Sequence, residues 1–162
     1  MTKAYFIELA NYTVWANSIT LSWLENISEE QWKMTIVSSF NSIEETVLHL
    51  AGAEKLWVDR LNKVTEPVPL AKIFNGDKSE LLEVWRVATN NLKGFVAAFD
   101  ENELKTPLRF KRLNGVEYVQ PYYQLLAHIF NHSTYHRGQL VTMLRQAGYK
   151  EISSTDMLGF FR

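Results

Sequence analysis

The sequence predicts an all-α fold, a four-helix bundle with a short β-hairpin inserted before its last helix. Three observations carry that expectation. Four long stretches repeat apolar residues at three- and four-residue intervals, the period of an amphipathic helix. Four Pro and seven Gly in 162 residues leave those stretches almost unpunctuated. Ahead of the fourth stretch the period drops to two around Asn114-Gly115, the strongest local signal for a hairpin. Four amphipathic helices in a single domain, residues 1–162, bury their apolar stripes most simply as a bundle.

The first helix runs from about Lys3 to Glu25, with Tyr5, Leu9, Tyr12, Ala16, Ile19 and Trp23 in alternating steps of four and three. Ser28-Glu29-Glu30-Gln31 reads as a capping box that opens a short turn around Trp32. Ser42 and Glu45 form a second such pair, announcing a helix through Ile43, Val47, Leu50, Trp57 and Leu61. Pro67, Pro69 and Asn75-Gly76 mark the loop that follows. A third helix starts near Asp77 or Ser79 and offers Leu81, Trp85, Ala88, Leu92, Phe95 and Phe99 to the core. After the hairpin, Pro121 suits the first position of a fourth helix, and Gly148 its C-terminal stop. The tail, Ser153 to Arg162, ends in Met157-Leu158-Gly159-Phe160-Phe161, apolar enough to require a docking surface.

Composition excludes several kinds of protein. With 17 Lys+Arg against 18 Asp+Glu, the chain lacks the basic excess of a nucleic-acid binder. No apolar run approaches a membrane span, and Met1 to Trp15 has no cleavage-site pattern, so the expected compartment is the cytoplasm. There is no Cys, which removes disulfides, thiolate nucleophiles and cysteine metal sites together. No phosphate-binding Gly-rich loop or serine-hydrolase elbow is present. Lys111-Arg112, with Lys105 and Arg109, makes a small basic patch, read as a solvated strand face.

The four His are more informative. His128, His132 and His136 fall at i, i+4, i+8 on the fourth helix, and His49 lies on the second. With Leu125 at zero and about 100° per residue, His136 falls near +20° and His132 near −20°, at the centre of the stripe defined by Met143, Ile129 and Leu140. His128 lies on its flank, near −60°. Two adjacent imidazoles in a core seam are costly unless something coordinates them, and i, i+4 His can chelate one divalent metal. His49, at about −120° from Ile43, can be a ligand or a hydrogen-bonded core residue. Glu54 falls inside the apolar stripe of its helix. It reads as a carboxylate reaching solvent or pairing with Arg137 or Lys55, or else as an acid/base or metal-supporting carboxylate.

The string His128-x3-His132-x3-His136-Arg137-Gly138-Gln139 strongly resembles the signature of the DinB-like (YfiT-like) metal-binding four-helix-bundle superfamily. Trp15-Ala16-Asn17 and His49-x4-Glu54-x2-Trp57 match two further elements of that family, in the same order along nearly the whole chain. The resemblance implies an antiparallel four-helix bundle with a long crossover, forming a homodimer. It implies a divalent cation, zinc or nickel, on His49, His132 and His136, with His128, Glu54, Arg137 and Gln139 as neighbours supporting the site. Relatives of this kind look like transferases or isomerases using low-molecular-weight thiols such as bacillithiol, mycothiol or glutathione. The function it implies is a metal-dependent thiol S-transferase, or a hydrolase, acting on a small electrophilic substrate. The alternative is a non-catalytic metal-binding dimer in stress response. Without Cys in the chain, any reactive sulfur arrives with the thiol cofactor.

Overall fold

Helix α1 covers Lys3–Asn26, α2 Glu29–Lys33, α3 Ile43–Leu61, α4 Lys78–Ala98 and α5 Tyr122–Gln146, with a last turn, α6, at Met157–Phe160. Strands β1 (Pro107–Lys111) and β2 (Glu117–Pro121) form an antiparallel hairpin between α4 and α5. These elements come from a computed structural model that describes residues 2–162. The architecture is the expected helical bundle with a small two-stranded sheet.

Each long helix packs on two neighbours, in the circular order α1–α4–α3–α5. Two apolar clusters fill the space between them. One gathers Leu21 and Leu24 of α1, Val47 and Leu50 of α3, Leu81 and Trp85 of α4, and Leu140 and Leu144 of α5. The other gathers Phe6, Leu61, Val96 and Leu125 with their neighbours. Reading each helix from one cluster to the other shows that α1 and α5 run one way, α3 and α4 the other. Parallel α3 and α4 need a connection back along the bundle. Residues 62–77 provide it, pinned midway by a 3-10 turn at Leu70–Lys72 whose Leu70 is buried in the first cluster. This is the long crossover, and the sense of the bundle is up-down-down-up.

Between the clusters lies a polar layer with one residue from each helix: Asn17, Glu54, Thr89 and Ser133, all buried. Asn17 Nδ2 donates to Glu54 Oε1 (3.2 Å) and to Thr89 Oγ1 (2.9 Å). Thr89 Oγ1 donates to Glu54 Oε2 at 2.6 Å, and Ser133 Oγ donates to Glu54 Oε1 at 2.8 Å.

Local differences from the sequence reading have identifiable causes. Of the expected seam of α1, Tyr12, Ala16 and Trp23 are buried, Leu9 and Ile19 pack against the core and Tyr5 is exposed; a second buried stripe beside it holds Phe6, Ala10, Thr13, Asn17, Leu21 and Leu24. Thr13 and Thr20 return their hydroxyls to Leu9 O and Ala16 O, and Asn17 joins the polar layer, so this face is buried without being uniformly apolar. Tyr12 and Trp23 also meet the C-terminal tail. Tyr12 Oη donates to Thr155 O, Trp23 Nε1 donates to Ser153 Oγ, and the Phe160 ring packs on Tyr12 and Trp15. Pro121 is the last strand residue and the N-cap of α5, not its first helical position, because pairing with Pro107 keeps it extended (ψ 148°). Ser42 caps α3 through Glu45 N–H, but the Glu45 carboxylate takes the N–H of Asn41 in place of that of Ser42.

Candidate metal centre

His49 comes from the second turn of α3, His132 and His136 from the middle of α5, and these two helices are neighbours in the bundle. Their side chains converge. His132 Nε2 lies 3.1 Å from His49 Nε2 and 3.1 Å from His136 Nε2. All three ligand atoms fit within 4.8 Å of one another. A tetrahedral cation with bonds of about 2.0–2.1 Å needs nitrogens about 3.3 Å apart, close to the spacing seen.

Proton counting favours a cation over a hydrogen-bonded triad. His136 Nδ1 faces Gln139 Oε1 at 2.7 Å, and an amide oxygen accepts only, so the ring proton sits on Nδ1. His136 Nε2 then presents a lone pair to His132. One N–H on His132 satisfies one neighbour and leaves another nitrogen without a partner. A cation receives all three lone pairs at once.

The electrostatics agree. Burial, reinforced by the other imidazoles, holds His49 down at about 4 and His132 at about 3. Burial lowers His136 as well, against the opposing hydrogen bond to Gln139. Near pH 7 the cluster is therefore neutral, the protonation state a metal ligand requires. Phe40 closes one side, its ring stacked on His49 at 4.5 Å between centroids and 6.0 Å from His136. On another side, His49 and His132 border a cavity of about 500 Å³.

The neighbouring residues divide between two places. Gln139 supports the cluster directly, and its Nε2 donates to Ser39 Oγ at 2.7 Å, which fixes the amide. His128 lies on the cavity wall beside His132, with its ring edge on Trp57 at 5.4 Å, and makes no hydrogen bond to the cluster. Glu54 neither reaches solvent nor pairs with Arg137 or Lys55, and it makes no hydrogen bond to a histidine. It belongs to the polar layer. Arg137 turns towards α1, donating to Asn17 Oδ1 (3.0 Å) and Thr134 Oγ1 (2.9 Å) beneath the Tyr12 ring. Both are one hydrogen bond from Asn17, which gives the Trp-x-Asn element a structural role.

The sequence model of the DinB family matches residues 1–160. The chain belongs to the DinB family. The DinB protein of Bacillus subtilis (strain 168) is 27% identical over 150 residues, 90% of this chain and 87% of that protein. Two crystal structures share the fold. A DinB-like protein from Bacillus subtilis superimposes with a TM-score of 0.67 at 18% identity, covering 91% of this chain and 97% of that one. A DinB-like protein from Bacillus cereus ATCC 10987 gives 0.61 at 20% identity, covering 86% and 89%. In this DinB-family chain the three histidines can hold a metal ion.

Two residues of the site, Phe40 and Arg60, carry no expectation from the sequence, and a third, Arg112, lies elsewhere than expected. Phe40 lies in the irregular segment before α3, where no periodicity aims a side chain. Arg60 follows Trp57 by three residues and so shares its face of α3, a signal open to inspection. Arg112 was grouped with a solvated strand face. Arg109 and Lys111 do pair with Glu117 there, but Arg112 lines the cavity beside the histidines.

Proposed function

We propose that this DinB-family chain holds a divalent cation, zinc or nickel, on His49, His132 and His136 and acts on a small electrophilic substrate as a thiol S-transferase or a hydrolase. The observation that carries the reading is the convergence of three neutral imidazoles, with the His49 and His136 nitrogens each 3.1 Å from that of His132, at the edge of a cavity of about 500 Å³. Imidazole nitrogen suits zinc and nickel, and three protein ligands are the pattern of a catalytic site with an open position, whereas a sealed structural site has four.

A cation bound there supplies Lewis acidity, which favours the nucleophilic form of a thiol or water arriving at the open position. The chain's own groups do the rest. Gln139 fixes the tautomer and orientation of His136. Phe40 keeps water from one side of the cluster. His128, Trp57 and Leu56 line the space in which a substrate and an external thiol would meet. With no Cys in the sequence, the sulfur of a transferase reaction comes from that thiol.

Metal analysis of the purified protein beside its His49→Ala and His132→Ala variants tests the ligand set. The wild type is expected to carry stoichiometric zinc or nickel, and each variant to lose most of it while keeping its helical circular dichroism. Full metal content in both variants overturns the site. A panel of bacillithiol, mycothiol and glutathione with a model electrophile then tests for chemistry. Metal binding without turnover of any thiol, or of a hydrolysable ester, leaves the non-catalytic reading in its place.

A further inference from the structure

The cavity beside His49 and His132 carries a second chemistry on its wall. Arg60 stands eleven residues beyond His49 on α3, about 16 Å along the helix axis. It is 9% exposed, with its guanidinium stacked 4.8 Å from the Trp57 ring centroid and 5.5 Å from that of Phe110. One nitrogen donates to Lys111 O at 2.9 Å, but the buried Nε has no partner. Arg112, from the hairpin turn, lines the same cavity with its guanidinium over Tyr118.

Neither arginine has an acidic partner. The ion pairs among the described residues use Arg86 and Arg109 but not Arg60 or Arg112. The chain has 18 acidic residues, yet the cavity is lined by none of them. Burial and the nearby Arg112 charge both weigh against the protonated form of Arg60. An arginine buried and left beside a second cation has lost hydration without gaining a counter-charge, a cost that an anion in the cavity offsets. Arginine's planar fork suits carboxylate and phosphate oxygens in particular.

We propose that Arg60 and Arg112 form an anion-recognising end of this cavity, whose ligand is a small molecule with a carboxylate or phosphate group held there while its reactive end reaches the histidines. The proposal rests on the reading of the cavity as the substrate site. It narrows the substrate or thiol to anionic molecules and assigns the two arginines as specificity residues.

Calorimetric titration separates this from the metal reading when it is run on the metal-free His132→Ala variant as well as on the wild type. The probes are inorganic phosphate, succinate and the neutral succinamide. At least one anion is expected to bind, with succinamide about tenfold weaker or silent, and the tighter anion identifies the group recognised. Arg112 is exposed, so Arg112→Gln should fold normally and weaken the anion about tenfold. Arg60→Lys keeps the charge but loses the fork, and should weaken it as well. Equal binding of succinate and succinamide overturns the proposal, as does anion binding unchanged in both arginine variants, or no heat from either anion at millimolar concentration. Anion binding retained in the His132→Ala variant leaves the arginine site standing even if the metal assignment fails.

Discussion

Gln139 decides what His136 can do. Its oxygen fixes the imidazole proton on Nδ1, and Ser39 holds the amide from the other side. Such a support for a ligating histidine contributes about 10–100-fold in metal affinity. Gln139→Leu is therefore expected to weaken zinc by about that factor in a competition titration with a chromophoric chelator, with the fold unchanged. Gln139→Glu keeps an acceptor in the same place and should bind at least as well as the wild type. Affinity unchanged in Gln139→Leu would remove this role. At this scale the sequence was unevenly informative. The angular positions of His132 and His136 follow from one helix and were legible, because helical geometry fixes them locally. His49 needed the family resemblance, since its place depends on how α3 sits against α5. Glu54 was misread for the same reason. Its stripe position showed burial, but its partners Asn17, Thr89 and Ser133 lie on three other helices.

Among the elements, the ends were better specified than the faces. Ser28 with Gln31 and Asp77 with Glu80 form full capping boxes, and side-chain oxygens four or fewer residues away suffice to make them. The seam of α1 is only part of its buried surface, because hydroxyls bonded to their own helix bury as readily as apolar groups and add a second stripe that apolar periodicity does not show. The C-terminus of α5 shows how strictly an end can be set. Gly148 has φ +84°, its N–H donates to Arg145 O, and Tyr149 N–H reaches back to Leu144 O. A Cβ at 148 would meet nothing within 4 Å, so the penalty of Gly148→Ala is conformational. We expect a loss of about 1 kcal/mol, or about 3 °C in Tm for a chain of this length, with metal content unchanged. A thermal melt that matches the wild type would show that α5 can end in another way.

Over the whole molecule, the polar layer is what sets the four helices in register. Glu54 accepts from α1, α4 and α5 at once, while apolar clusters lie on either side of it. Sliding α1 or α5 by a turn, about 5.4 Å, so that Leu21 takes the place of Asn17 or Ile129 that of Ser133, would set an aliphatic side chain against the carboxylate and orphan a hydroxyl or amide elsewhere. The metal cluster depends on the same alignment, because Ser133 directly follows His132 and Glu54 lies five residues after His49. Members of such a network do not contribute independently. Ser133→Ala alone should cost about 1–2 kcal/mol by depriving the buried carboxylate of a donor, and Glu54→Leu about 3 kcal/mol by stranding several donors. In the double variant the alanine no longer faces a carboxylate, so the combined loss should fall short of the sum by at least about 1 kcal/mol. Glu54→Leu combined with Gly148→Ala gives the comparison, since position 148 lies past the end of α5, whose last residue is thirteen residues and about 20 Å beyond Ser133, and that pair should add to within about 0.5 kcal/mol. Urea midpoints at constant m report all five variants. Additivity in both pairs would mean that the layer is four separate contacts and that register is set by the apolar clusters alone.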